Sequence, residues 1–249
     1  MFRWVVLILM WSHMALAQAE LTRGDFGPFG RSLNDKNHGY KVIVDPTGKS
    51  PVYKIEHFKV KNGDCSITKD WSDCANDRER SELSEKQRRK NDGTTYWYGW
   101  SFYLPESYLS IYPAKVALGQ FHQDKGSPLW MFQHGETGLS LEGVFLDNNT
   151  LFALIPESEL RGRWQKIEME VHWSTKKDGF LRLWVNGQQK VDYKGPTKQK
   201  SQIYFKYGLY RSFLKRYTKD KKTLEVPEQE IYFANVKRGK TRKSLEASR

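Results

Sequence analysis

The chain has 249 residues, 41 Lys plus Arg against 29 Asp plus Glu, and a formal net charge of +12. That length holds one sizeable domain or two small ones, and so basic a chain seeks polyanions: acidic polysaccharide, nucleic acid or an anionic surface. None of the usual nucleic-acid motifs is present and no segment after residue 19 is apolar enough to cross a bilayer, so nucleic acid is the weaker partner and membrane insertion is not expected.

Residues 1–19 read as a signal peptide. Arg3 supplies the positive start, Trp4 opens an apolar run, and Ala15-Leu16-Ala17 and Ala17-Gln18-Ala19 offer small-residue cleavage sites. The alternative is an uncleaved anchor, for which the apolar stretch is short and interrupted. The expected mature domain is 20–249, secreted or periplasmic, with no linker and no internal repeat.

After the leader, period-two patterns rich in aromatic and branched residues predict strands near 52–60, 97–104, 115–122, 139–145, 151–155, 164–173, 180–185, 190–193, 201–210 and 230–236. Turn signals separate them, among them Asn91-Asp92-Gly93, Lys177-Asp178-Gly179 and Asn186-Gly187. The helical candidates are short, 105–112 and 212–218. This pattern predicts an all-β sandwich. Cys65 and Cys74 flank Trp71, and in an oxidising compartment they form one local disulfide contributing at most about 3 kcal/mol. Two buried free thiols are the alternative; a zinc site lacks further ligands at suitable spacing. The basic runs 86–90 and 215–222 read as solvated loops and the tail 237–249 as frayed. Of the 9 Trp, 13 Tyr and 13 Phe, some are expected to stack on sugar rings.

Three distant segments carry the chemistry: Arg80-Ser81-Glu82-Leu83, Gln120-Phe121-His122, and Tyr204-Phe205-Lys206-Tyr207-Gly208-Leu209-Tyr210. As strands they put Arg80 with Glu82, Gln120 with His122, and Lys206 with Gly208 and Tyr210 on one face each. Leu83, Phe121, Phe205 and Leu209 then point into a core.

In these motifs the chain resembles the jelly-roll polysaccharide lyases: heparin lyase I, glucuronan lyase and the jelly-roll alginate lyases. Their signature is Arg-[Ser/Thr]-Glu-Leu, then Gln-x-His, then Lys-x-Gly-x-Tyr, matched here in order at Arg80, Gln120 and Lys206. Trp97-Tyr98-Gly99-Trp100-Ser101-Phe102-Tyr103-Leu104-Pro105 resembles the heparin lyase I and glucuronan lyase branch, and Tyr204-Phe205-Lys206 the alginate lyases. Ser84 stands where alginate lyases often carry another Arg, and Arg211-Ser212 where they carry Asn-Gln, so the substrate's identity stays open.

The resemblance implies a single β-jelly-roll domain that cuts a uronate-containing polysaccharide by β-elimination, without a required cofactor; on structural calcium the sequence says nothing decisive. Arg80 and Gln120 neutralise the uronate carboxylate. His122 is the base when neutral, Tyr210 the acid, and in some related lyases the Tyr does both. Lys206 holds a carboxylate and lowers the phenol's pKa, Glu82 orients Arg80, and Gly208 lets the polymer approach the sheet. His134 and Arg211 are further substrate-binding candidates, and a monomer is expected. The competing function is a non-catalytic lectin-like module on the same fold. A jelly-roll glycoside hydrolase fits less well, because Glu168-Met169-Glu170 lacks the third acid of the expected pattern.

Overall fold

The alternating runs fold into strands whose apolar faces meet in one interior, as half-buried antiparallel strands must. The structure, a computed structural model, describes residues 21–34, 36–146 and 150–246, so the signal-peptide expectation lies outside the described residues. The strands run β1 (Phe29–Arg31), β2 (Tyr40–Val44), β3 (Lys54–Val60), β4 (Arg78–Glu85) and β5 (Thr94–Tyr103). Then come β6 (Lys115–Gln123), β7 (Trp130–Gly135), β8 (Gly138–Gly143), β9 (Thr150–Pro156) and β10 (Trp164–Trp173). The last four are β11 (Phe180–Val185), β12 (Gln188–Lys194), β13 (Ile203–Ser212) and β14 (Gln229–Gly239), with helix α1 (Leu214–Lys221) between the final two.

They form two seven-stranded antiparallel sheets in the orders β1-β4-β13-β6-β7-β8-β9 and β12-β11-β10-β5-β14-β3-β2, a β-sandwich of jelly-roll type. Leu83, Phe121, Phe205 and Leu209 of the first sheet are buried, as their alternation predicts. They meet the second sheet through aromatic contacts such as Tyr98 with Phe121 at 4.9 Å and Trp100 with Phe205 at 5.2 Å between ring centres. Such edge-on and tilted pairs add about 0.5–1.5 kcal/mol each beyond burial.

Several expectations need correction. Residues 105–112 are not helical: two turns, Tyr108 N–H to Pro105 O and Ala114 N–H to Ile111 O, bury Tyr108 and Ile111, and Pro113 keeps Tyr112 out of the helical region. Residues 215–222 lie mostly in α1 rather than in a loop, its first turn held by Asp77, whose carboxylate accepts the Lys215 N–H. The tail is not frayed through residue 246. Lys237 and Arg238 are buried in β14, Arg238 pairs with Glu85 at 2.9 Å, and Leu245 packs against the back of Gly99. Cys65 and Cys74 do form the disulfide, with Cα atoms 5.0 Å apart. Strands β1, β2 and β7 escaped the sequence patterns; β1 and β2 are short edge pieces with no buried residue.

Candidate active site

The three motif segments become neighbours because β13 lies between β4 and β6. In register, Tyr210 sits opposite Arg80, Gly208 opposite Glu82, Lys206 between Ser84 and Gln120, and Tyr204 opposite His122. Period two turns all of these away from the core. They face a groove of about 760 Å³ whose lining includes Arg80, Gln120, His122, Lys206 and Tyr210. Six lining side chains are cationic, the others being Arg31, Arg78, Lys86 and Arg88, and among the described residues no acidic side chain lines it.

Glu82 lies beneath this surface, almost fully buried, and ties the cluster together. One carboxylate oxygen accepts from Gln120 Nε2 at 2.6 Å; the other takes Lys206 Nζ at 2.6 Å and Arg80 Nη1 at 3.1 Å. A carboxylate so far from water persists as an anion only when it is paired and hydrogen-bonded. Arg80 is gripped a second time: its Nε and Nη2 donate to the two oxygens of Asp73 at 2.7 and 2.6 Å. Three of the five guanidinium N–H groups are thus engaged within the protein, and two are left for a ligand. The Arg80 guanidinium also lies over the Tyr210 ring, 4.4 Å from its centre.

His122 closes one end of the row. Its Nδ1 is 2.6 Å from the Gln123 carbonyl, an acceptor, so Nδ1 carries the hydrogen and Nε2 keeps its lone pair. Burial, then the charges of Lys206 and Arg80, hold its pKa below the ordinary 6.5 against the pull of the Gln123 carbonyl. Tyr204 stacks on the imidazole at 5.3 Å. At the other end, burial raises the Tyr210 phenol above its ordinary 10, and Arg80 and Arg78 offset this only in part. Lys206 lies with its Nζ 6.0 Å from the centre of the Tyr210 ring. Its ammonium is matched by Glu82, and desolvation pushes its own pKa down.

His134 and Arg211 are not in the groove. His134 sits on the core face of β7, fully covered, 2.8 Å from Glu157 and 3.3 Å from the Tyr108 hydroxyl. Arg211 follows Tyr210 by one residue, so its side chain points to the opposite face; there it pairs with Glu79 and donates to the Lys61 and Pro227 carbonyls. Gly208 also has another reason. It sits at φ +126° where β13 slips register against β6, and a Cβ there would meet the Ser81 carbonyl oxygen at 2.3 Å.

The sequence reading missed Asp73, Trp71, Arg78, Lys86 and Arg88. Arg78 was findable, since it lies two residues before Arg80 on the same strand face. Lys86 and Arg88 belong to the run read as solvated; they are exposed, but they line the groove. Asp73 and Trp71 lie in the disulfide loop, and no sequence spacing links that loop to β4.

The family model described as polysaccharide lyase matches residues 21–237. A search of curated proteins found no match. Among solved structures the chain is similar to an endo-β-1,4-glucuronan lyase from the fungus Trichoderma reesei, at 14% identity over 89% of this chain and 93% of that one, with a TM-score of 0.62. It is also similar to alginate lyase AlgAT5 from polysaccharide lyase family 7, at 16% identity over 82% of each chain and TM-score 0.56. A third is the family 7 alginate lyase A1-II′, solved with one His-to-Asn and one Tyr-to-Phe change in complex with a substrate, at 14% identity over 86% of this chain and 85% of that one, TM-score 0.54. At such identities these likenesses establish the shared fold.

Proposed function

The chain belongs to the polysaccharide lyase family, and from that premise we propose that it cleaves a uronate-containing polysaccharide by β-elimination in the groove over β4, β13 and β6. The observation that carries this reading is an imidazole with a free Nε2 in a groove lined by six cations and, among the described residues, no acid.

A uronosyl residue entering this groove brings a carboxylate next to the C5–H bond. The two unengaged N–H groups of Arg80 and the second amide hydrogen of Gln120 bind that carboxylate and take up the charge that grows on it as C5 loses its proton. Nε2 of His122 accepts the C5 proton. The C–H electron pair becomes the C4–C5 double bond, the C4–O4 bond breaks, and the departing O4 takes the proton of Tyr210. Water then restores the phenol, and the imidazolium releases its proton. A phenol held above its ordinary pKa suits a proton donor better than a base, so the histidine is the base and the tyrosine the acid. Glu82 and Asp73 act through Arg80, Gln120 and Lys206, fixing their orientation before substrate arrives. The similar alginate lyase that was altered at a histidine and a tyrosine and solved with substrate fits these assignments. The disulfide supports export to an oxidising compartment.

The test is a panel of polyglucuronate, polymannuronate, polyguluronate and heparin-like glycosaminoglycan, followed by the ultraviolet absorbance of the unsaturated product. At least one polymer should be cleaved. His122→Ala and Tyr210→Phe should each lower kcat by about 10²-fold or more while folding normally, in line with the usual worth of a positioned acid or base. Near-unaltered rates in both variants would reject the assignment.

A further inference from the structure

The loop closed by Cys65–Cys74 carries Asp73, which grips Arg80, and through Trp71 it also walls the groove beside that guanidinium. The chain turns at its tip, where Thr68 N–H donates to the Trp71 carbonyl at 2.7 Å and Ile67 bridges Ser72. Trp71 lines the groove and keeps 44% of its surface exposed, high for an indole in a structured turn. Its Nε1–H donates to Asp73 Oδ1 at 2.7 Å, and that same carboxylate grips Arg80. The ring is therefore fixed relative to the guanidinium through one shared acceptor.

Three aromatic side chains line the groove among the described residues. Two already have a guanidinium over the ring: Arg88 over Tyr204 at 3.4 Å and Arg80 over Tyr210 at 4.4 Å. Among the described residues, no aromatic ring or cation stacks on Trp71. A tethered indole with an open face, in a groove that also carries six cations, offers what a pyranose needs: a flat apolar surface for the C–H face of the ring.

We propose that Trp71 is a sugar-stacking residue, its indole packing on the uronosyl ring next to the one whose carboxylate Arg80 holds. This rests on the functional reading above and adds a residue that sets grip on the polymer rather than the rate of proton transfer. The disulfide holds the loop in place, so the stacking surface is formed before the substrate binds.

The full chain is assayed with whichever polyuronate of the panel it cleaves fastest, comparing the unaltered protein with Trp71→Ala and Trp71→Phe. Stacking predicts that Trp71→Ala raises KM about tenfold or more, with a smaller fall in kcat. Trp71→Phe, which keeps a ring but loses the bond to Asp73, should stay within a few-fold of the unaltered KM. Unchanged KM in the alanine variant overturns the proposal. Equal damage in both variants also overturns it, because the indole would then be acting only through Asp73 and Arg80. An unaltered protein that cleaves none of the polymers overturns the lyase reading itself and the stacking role with it.

Discussion

His122 and Tyr210 sit on one sheet face, with the Lys206–Glu82 pair between them, and their surroundings push their titrations apart. The imidazole is held below 6.5 and the phenol above 10. In the proposed elimination the base must be neutral and the acid protonated, so a lowered histidine extends activity toward acid and a raised tyrosine extends it toward alkali. We therefore expect kcat/KM for a cleaved polyuronate to rise to a plateau below pH 6.5 and hold it through neutrality, with any alkaline fall lying above pH 10; a half-maximum at or above 6.5 on the acid side contradicts the geometry. At this scale the motif residues were legible, because strand alternation alone sorts Arg80, Gln120, His122, Lys206 and Tyr210 to one side each. Asp73 was not. Its role is a contact between a loop and a strand, and period two says nothing about which loop reaches which strand.

Strand β13 shows how a single element can be right in outline and misread in detail. Its alternation predicted which side chains face the groove, and the register against β4 bears that out without a break. Against β6 the register slips between Tyr207 and Tyr210, and Gly208 takes up the slip at positive φ with the Ser81 carbonyl and Phe58 close behind it. The glycine answers to its neighbouring strand. Gly208→Ala should then destabilise the fold by about 2–5 kcal/mol, from backbone strain together with overpacking. Denaturant unfolding with an unchanged slope and a lowered midpoint would register this. A variant as stable as the original would show that the strand relaxes around the added methyl group. The same dependence on partners explains residues 105–112: the local sequence allowed a helix, but Tyr108 and Ile111 are claimed by the core and Pro113 blocks the continuation.

Across the whole molecule, charge and burial set the response to acid. His57, His122 and His134 are all held below 6.5, in each case chiefly by burial. The folded chain thus binds fewer protons than the unfolded one in the range just below 6.5, so the stability these groups confer is present above 6.5 and lost as pH falls. For a histidine as covered as His134 the loss is up to about 1.4 kcal/mol per pH unit over that range. Asp45 and Glu168, held below their ordinary values, extend the loss further into acid, while Glu85, raised by burial, offsets part of it. Thermal unfolding should show a midpoint that drops steadily once the pH goes under 6.5, with no such drop from 7 to 8. A flat profile down to pH 5 would mean that these histidines charge within the folded state.

The chain by itself determined the all-β architecture, the inward and outward sides of its site strands, the disulfide partners and the cationic character. Those are local properties, written in alternation, composition and short spacings. Only the tertiary structure decided that Glu82 joins Arg80, Gln120 and Lys206, that the disulfide loop brings Asp73 and Trp71 to the groove, and that His134 and Arg211 serve the core instead. Each of these is a meeting between segments distant in sequence, and strand order, register and burial fix such meetings only once the two sheets close on each other.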